Sequence, residues 1–422
     1  MAIPVEIATT IADPKSYADL PKLDQAFEYL RHNAPFETAE IEGFDPFRVV
    51  SRHADLADIE TRPDVFVNGA ASTYLVNREA IAFGRTLVDE PNVIRSLVNV
   101  DGREHKDLRA IAFPAFTPKA LKSLEDSTRD IAREFIDSMI ARGPEVDFAR
   151  DVAFLYPLRV VMAALGVPRE DEPFMLRLTQ EMFGNTDSDL NRAQADVSGA
   201  AALEVITTVI AELSDYFGRV TTQLRSEPRD NINSLIANAK INGEYLTPRQ
   251  LMGYYIIAAT AGHDTTANTT GATMWAIAEN PELLDQIRND PNLLPGFLEE
   301  SIRWSTPVKH FMRSALVDTE VRGKPVKAGE WLFLSYHSAN RDEEVFADPY
   351  TFRLDRPLHR QLAFGTGPHV CLGQHLARME MRILWEELLP RLRKVELTGT
   401  PKLSQSNFVS GPKSVPVRIT VN

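Results

Sequence analysis

Phe364-Gly365-Thr366-Gly367-Pro368-His369-Val370-Cys371-Leu372-Gly373 carries the only cysteine in the 422 residues of this chain. A lone cysteine forms no intramolecular disulfide and builds no multi-cysteine zinc or iron–sulfur site. It can act as a nucleophile, pack as a small hydrophobe, or give one thiolate to one metal. The surroundings favour the third. Two glycines and a proline make a tight turn in which backbone can approach a flat ligand. A helical pattern follows at once in Leu372-Gly373-Gln374-His375-Leu376-Ala377-Arg378-Met379-Glu380-Met381. Cys371 then stands at a helix N-terminus, where unpaired N–H groups and the positive dipole end stabilise a thiolate. Sulfur held in this way suits the axial position of a haem iron. A dinucleotide-binding reading of Gly365 and Gly367 fails, because the next required glycine position holds Val370.

The decapeptide resembles the cysteine-ligand loop of the cytochrome P-450 family, F-G-x-G-x-H-x-C-x-G, with every specified position filled. A second stretch, Ala261-Gly262-His263-Asp264-Thr265-Thr266, lies inside a helical pattern that runs from Thr247 to Asn280. There Thr247 reads as N-cap, Pro248 as first helical residue and Gln250 as capping-box partner. Taken alone, the stretch is odd. A glycine costs about 1 kcal/mol in a helix interior, and a buried aspartate is expensive without a partner or water. Back-bonding of Thr265 to the carbonyl of Ala261 would merely bend the helix. Beside the cysteine loop, the stretch resembles the family's oxygen-activation segment, A-G-x-D-T-T. The resemblance implies that Gly262 leaves room for dioxygen, that Thr265 hydrogen-bonds it, and that Asp264 relays protons from solvent. His263 is read as structural.

Glu300-Ser301-Ile302-Arg303 puts opposite charges on one helix face. By itself this is a common surface pair. In this company it is similar to the family's E-x-x-R, and Arg356 falls where the family's third, meander-region arginine is expected. The implied role is an ion network that supports the fold. Haem carries two propionates, so donors should surround it. The resemblance assigns this work to His105 and Arg109 (H-x-x-x-R), to Arg313 and to His369, with Phe364 beside the cysteine. By the same analogy Ile257, Thr260, Ala261, Val308, Phe311, Phe408 and Val409 line a small, largely apolar substrate pocket.

The remaining sequence bounds the partners. Composition is 44% hydrophobic and 25% charged, with net charge −13, which argues against nucleic acid or anionic membrane as partner. The opening residues show no basic region followed by an apolar core, and no apolar run approaches the ~20 residues of a membrane span. A cytoplasmic enzyme is expected. Length alone suggests two or three domains, yet no linker or internal repeat divides the chain, so one haem-binding unit over residues 1–422 is the expectation. Its class is mainly α with a small β region (α+β) drawn from about 35–52, 308–335 and 395–422. One helix is expected near Lys22–His32, a hairpin at Thr38–Ile41 and Phe47–Ser51, and strands at Val317–Val321 and Trp331–Ser335. Residues 68–100 read as a long loop, 103–217 as largely helical, and 185–198 as polar and aperiodic.

The resemblance extends along nearly the whole chain to the bacterial terpineol-hydroxylating branch of the family, and the loop near 70–100 departs most from it. It implies a monooxygenase with haem b (protoporphyrin IX iron on the Cys371 thiolate), in which thiolate electron donation aids O–O cleavage. The implied substrate is a small hydrophobe, a monoterpenoid or aromatic hydrocarbon, oxidised with O2. Electrons would come from a [2Fe–2S] ferredoxin and its NAD(P)H-dependent reductase. Arg103, Lys106, Arg378 and Arg382 form a candidate docking patch. The alternatives are a peroxide-driven haem-thiolate hydroxylase, which Asp264 and Thr265 disfavour, and a haem-based sensor. A cysteine hydrolase using Cys371 and His369 ranks last, for want of an orienting third group.

Overall fold

Helix α1 (Val5–Ala12) opens the computed structural model, which describes residues 3–357 and 360–422. It is too short to print a period in the sequence, and no helix is expected there. Helix α2 (Leu20–Asn33) covers the expected helix; the Asp19 side chain caps it by accepting from Lys22 N, with Pro21 in the first turn. Strands β1 (Thr38–Ala39) and β2 (Phe47–Val50) pair antiparallel as the expected hairpin. Helix α3 (His53–Glu60) and strand β3 (Phe66–Val67) follow. The aperiodic stretch 68–100 is not all loop: α4 (Arg78–Leu87) lies within it, capped by Asn77, which accepts from Ala80 N.

The helical middle runs through α5 (Gly102–Ala112), α6 (Glu125–Arg142), α7 (Leu155–Leu165), α8 (Glu172–Phe183) and α9 (Gly199–Ser226). Strand β4 (Glu145–Asp147) sits between α6 and α7. The capping box at Thr247 and Gln250 is formed as expected and starts α10 at Pro248. The single long helix is not. It divides into α10 (Pro248–Ala261) and α11 (Asp264–Glu279), with Gly262 and His263 between them. A low-propensity glycine and the Thr265 Oγ1 bond to Ala261 O, which competes with the backbone ladder, account for the break.

After α12 (Leu294–Ser305) come β5 (His310–Ala315) and β6 (Trp331–Ser335), then α13 (Gln374–Leu388), β7 (Leu392–Leu397) and β8 (Pro416–Val421). The five-stranded sheet has the order β1-β2-β6-β5-β3. In it β6 runs parallel to β2 (Leu332 opposite Arg48) and antiparallel to β5 (Phe333 opposite Met312). The second sheet is β7-β8-β4. The expected single β region is thus divided, because the C-terminal strands pair with β4 and leave the N-terminal sheet to β5 and β6. Helix α11 is the hub: it packs on α7, α12, α13 and β7, and most of its residues are buried. Trp385 of α13 anchors the main core, with the Phe297 ring edge-on at 5.4 Å and the Phe148 ring stacked at 6.3 Å. Among the described residues no helix is long and apolar enough to cross a membrane.

Candidate active site

The cysteine loop is built from its glycines. Gly367 has φ +68, and a methyl group on it would lie 2.2 Å from the Glu60 carbonyl oxygen. Only glycine lets the loop pass so close to the end of α3. Cys371 N donates to Phe364 O at 2.8 Å and closes the turn, and the Arg378 guanidinium covers the Phe364 ring at 4.5 Å. Helix α13 starts two residues later than the pattern indicates, and the backbone N–H groups of Gly373 and Gln374 point at the sulfur. Contrary to the expectation of a ready thiolate, burial pushes the Cys371 thiol up and outweighs those two N–H groups and the Arg109 and Arg378 charges. A bound metal cation would reverse that balance and hold the sulfur as a thiolate.

Cys371 lies in the wall of a cavity of about 490 Å³. Every sequence-predicted cofactor and pocket residue lines the same cavity: His105, Arg109, Ile257, Thr260, Ala261, Gly262, Val308, Phe311, Arg313, Phe364, His369, Phe408 and Val409. Thr265 lines it too, whereas Asp264 stands behind the wall, 4% exposed. Val308 and Val409 form a β-bridge, and Lys309 N donates to Phe408 O at 2.8 Å, so the two apolar segments are locked side by side. At Gly262 a methyl group would meet Val161 Cγ2 at 3.0 Å. The missing side chain therefore admits α7.

The donors for an anionic edge are gathered as expected, with differences in charge. Arg109 has no hydrogen-bond or ion-pair partner among the described residues; burial holds it below its ordinary value, and the Cys371 sulfur offsets this. Arg313 is already engaged, Nη2 donating to Glu60 Oε1 at 3.0 Å. The His105 and His369 rings lie with centroids 4.0 Å apart and planes tilted by 36°. Burial, with His369 and Arg109 adding to it, pulls His105 down to about 4, so it is a neutral donor and no cation. An unpaired arginine, a second guanidinium, two imidazoles and a half-buried sulfur around one cavity fit a haem with its two carboxylates.

Two buried acids at the site are absent from the sequence-based expectations. Glu60 accepts from Arg313 and Tyr336, and its other oxygen takes the N–H of Thr366 in the cysteine loop at 2.9 Å. As the last residue of a short helix it gives no pattern to notice. Glu380 does give one, because it falls on the apolar stripe of α13 with Leu376, Met379, Ile383 and Leu384. Thr266 Oγ1 donates to its Oε1 at 3.2 Å, its Oε2 has no partner, and burial pushes it well above the usual carboxylate range. Glu380 is held as a neutral acid.

At the helix break, Thr265 Oγ1 donates to Ala261 O at 3.0 Å, so the back-bond and the cavity-facing position coexist. His263 Nε2 lies 2.9 Å from Asp264 Oδ1 and 3.3 Å from Thr179 Oγ1, off the cavity as expected. Neither Asp264 oxygen has a well-directed hydrogen bond. Away from the cavity, Arg303 grips Glu300 with two bonds of 2.6 and 2.7 Å, and Arg356 Nε reaches Glu300 Oε1 at 3.0 Å. The candidate docking cations are largely neutralised. Arg103 pairs with Asp107, Arg378 with Glu299, and Arg382 with Glu125 and Glu386, leaving Lys106 without an ion pair among the described residues.

A profile of the family described as cytochrome P450 matches residues 70–418. Cytochrome P450-terp of a Pseudomonas species is 44% identical over 420 residues, covering 99% of this chain and 98% of that one. The crystal structure of CYP108D1 from Novosphingobium aromaticivorans superposes with TM-score 0.91 at 40% identity, covering 100% of each chain. CYP268A2 of Mycobacterium marinum, solved with pseudoionone, gives TM-score 0.86 at 26% identity over 96% of this chain and 97% of that one.

Proposed function

The chain belongs to the cytochrome P450 family, oxidoreductase monooxygenases that bind haem b through a cysteine thiolate, and from that premise we propose that it hydroxylates a monoterpenoid or similarly small hydrophobe using electrons from a [2Fe–2S] ferredoxin. The balance is RH + O2 + two electrons + two protons giving ROH + water. The observation that carries the reading is the apolar cavity joining Cys371 to the Ala261–Thr265 wall. Its relatives' names, P450-terp and a pseudoionone complex, point toward terpenoid-sized ligands.

In this reading Cys371 ligates the iron, and Arg109, Arg313, His105 and His369 hold the carboxylate edge. When bound, the haem supplies the activation of oxygen and its insertion into a C–H bond. The protein supplies shape and protons. Ile257, Thr260, Ala261, Val308, Phe311, Phe408 and Val409 exclude water and press the substrate toward the cavity floor. Asp264, whose carboxylate lies against His263, takes protons and passes them to Thr265, whose Oγ1 releases Ala261 O to face the cavity. Glu380, protonated and tied to Thr266, is a second store of a proton beside the same cavity. Glu300, Arg303 and Arg356 support the fold and do no chemistry. Unlike a peroxide-driven enzyme, this arrangement needs a donor protein.

The test is reconstitution with a [2Fe–2S] ferredoxin, its reductase and NAD(P)H against a panel of terpenoids and aromatic hydrocarbons. Spectral shifts on binding and hydroxylated products are expected with compact terpenoids. A panel without a single shift, or product formed from peroxide with no gain from the ferredoxin, would overturn the reading. In the same assay Thr265→Ala should lower product per electron by about 10-fold or more, the low end of general acid–base effects, with peroxide released instead. Unchanged coupling would remove Thr265 from proton delivery.

A further inference from the structure

We propose that Tyr254 is a further cofactor-binding residue, its hydroxyl donating to the haem carboxylate that Arg109 receives. This rests on the place given to Arg109 above and is independent of which substrate is oxidised. Tyr254 belongs to α10 and shares one helical stripe with Ile257, Ala258 and Ala261, all of which line the cavity. It is 2% exposed, and its Oη is buried without a hydrogen-bond partner. Arg109 and Ala112 stand three apart on one face of α5, and both act on that hydroxyl. The Ala112 N–H faces the phenol oxygen without a well-directed bond, so what the hydroxyl lacks is an acceptor for its proton. Arg109 lacks one too. A desolvated donor without an acceptor is costly until a ligand satisfies it.

Two unbonded donors within electrostatic reach of each other call for a group that only accepts, and an ionised carboxylate is such a group. Burial pushes the phenol up to about 12, outweighing the Ala112 N–H and the Arg109 charge, so it stays neutral and keeps its proton. A neutral donor adds a bond to the carboxylate and no repulsion to the guanidinium. Arg109 feels both the Cys371 sulfur and the Tyr254 oxygen, which puts the phenol on the cofactor side of the cavity. The hydroxyls of Thr260, Thr265 and Thr269 differ, because each is spent on a helix carbonyl at 2.8 to 3.0 Å. The helix is also fixed on either side of Tyr254. A methyl group on Gly253 would lie 1.9 Å from Arg95 O, and Tyr255 Oη donates to Asn233 O at 3.2 Å. A donor held in place before its ligand arrives loses little freedom on binding.

The experiment follows transfer of haem from the ferric holoenzyme to excess apomyoglobin, together with the propionate bending band of its resonance Raman spectrum. Tyr254→Phe removes the oxygen alone. It should release haem about tenfold faster, the equivalent of one hydrogen bond to a charged group. The propionate band should shift, while the reduced carbon-monoxide spectrum stays of thiolate type. Release within about twofold of the wild-type rate, with an unmoved band, overturns the assignment. So does faster release with an unmoved band, which would mark lost packing. Arg109→Gln, run alongside, should speed release and shift the same band. If it does so and Tyr254→Phe does not, only the Tyr254 assignment falls. If Arg109→Gln leaves rate and band at their wild-type values, the place given to Arg109 falls and this inference with it.

Discussion

Cys371→Ser is expected to abolish monooxygenase turnover and to replace the thiolate-type Soret band of the reduced carbon-monoxide complex by a band of ordinary type. The chain has no second cysteine to substitute. A serine hydroxyl is far less acidic than a thiol and donates far less electron density to a metal, so geometry alone cannot rescue the variant. The loop itself should survive. Its turn is closed by Cys371 N to Phe364 O and by the glycine approach to Glu60, neither of which uses the side chain. Folded protein that takes up less haem, or holds it without the thiolate band, is therefore the anticipated result. Wild-type spectra and turnover from this variant would contradict the ligand assignment outright.

Glu300→Ala should cause the largest loss of stability. Glu300 is 2% exposed and neutralises two guanidiniums, while also accepting the N–H of Arg353 at 2.9 Å. Arg303 in turn donates to Asn340 O and Pro349 O, and Arg356 to Ala347 O, Asp348 O and Thr351 O. The triad thus pins the segment that leads into the cysteine loop. Removing its only carboxylate leaves buried cations uncompensated, which costs about 3–5 kcal/mol. A fall in the midpoint of thermal unfolding, with haem loss at the same temperature, is the measurement. Glu300→Gln, which keeps the shape and loses the charge, should fall between. A wild-type midpoint for Glu300→Ala would show that the network adds nothing.

Much of the site is legible in the amino-acid sequence, because its chemistry is concentrated in two short stretches. Residues 364–373 and 261–266 each combine side-chain types that plain core packing does not produce, and both end in the same cavity. The ion network is legible for a similar reason, since Glu300 and Arg303 share one turn of helix. What escapes depends on tertiary context. Glu60 meets the cysteine loop, and Tyr336 meets Glu60, only through folding, and no local spacing records either meeting. Helix α4 hides in an aperiodic stretch because only Ala80 and Gly84 of its ten residues are buried, too few to print a stripe. The break between α10 and α11 escapes because the capping box at Thr247 marks where a helix starts and says nothing of where it yields. The upward shift of the thiol escapes for a quantitative reason: desolvation opposes charge more strongly than two N–H groups and two guanidiniums favour it.

His310, the first residue of β5, ties the Leu75 stretch to the turn before Phe408 and spends both ring nitrogens on backbone: Nδ1 on Asn407 O at 2.7 Å, Nε2 on Leu75 N. Burial lowers its pKa to about 3, against 6.5 for an ordinary imidazole. Above pH 6.5 folded and unfolded chains both leave the ring neutral, and its titration adds nothing to stability. Between 6.5 and about 3 only the unfolded chain accepts the proton, so each unit of acidification weakens the native state by about 1.4 kcal/mol for this one ring. The clasp that keeps the substrate chamber neutral and rigid is thereby a built-in acid lability, dormant in neutral surroundings and felt first where the two segments meet.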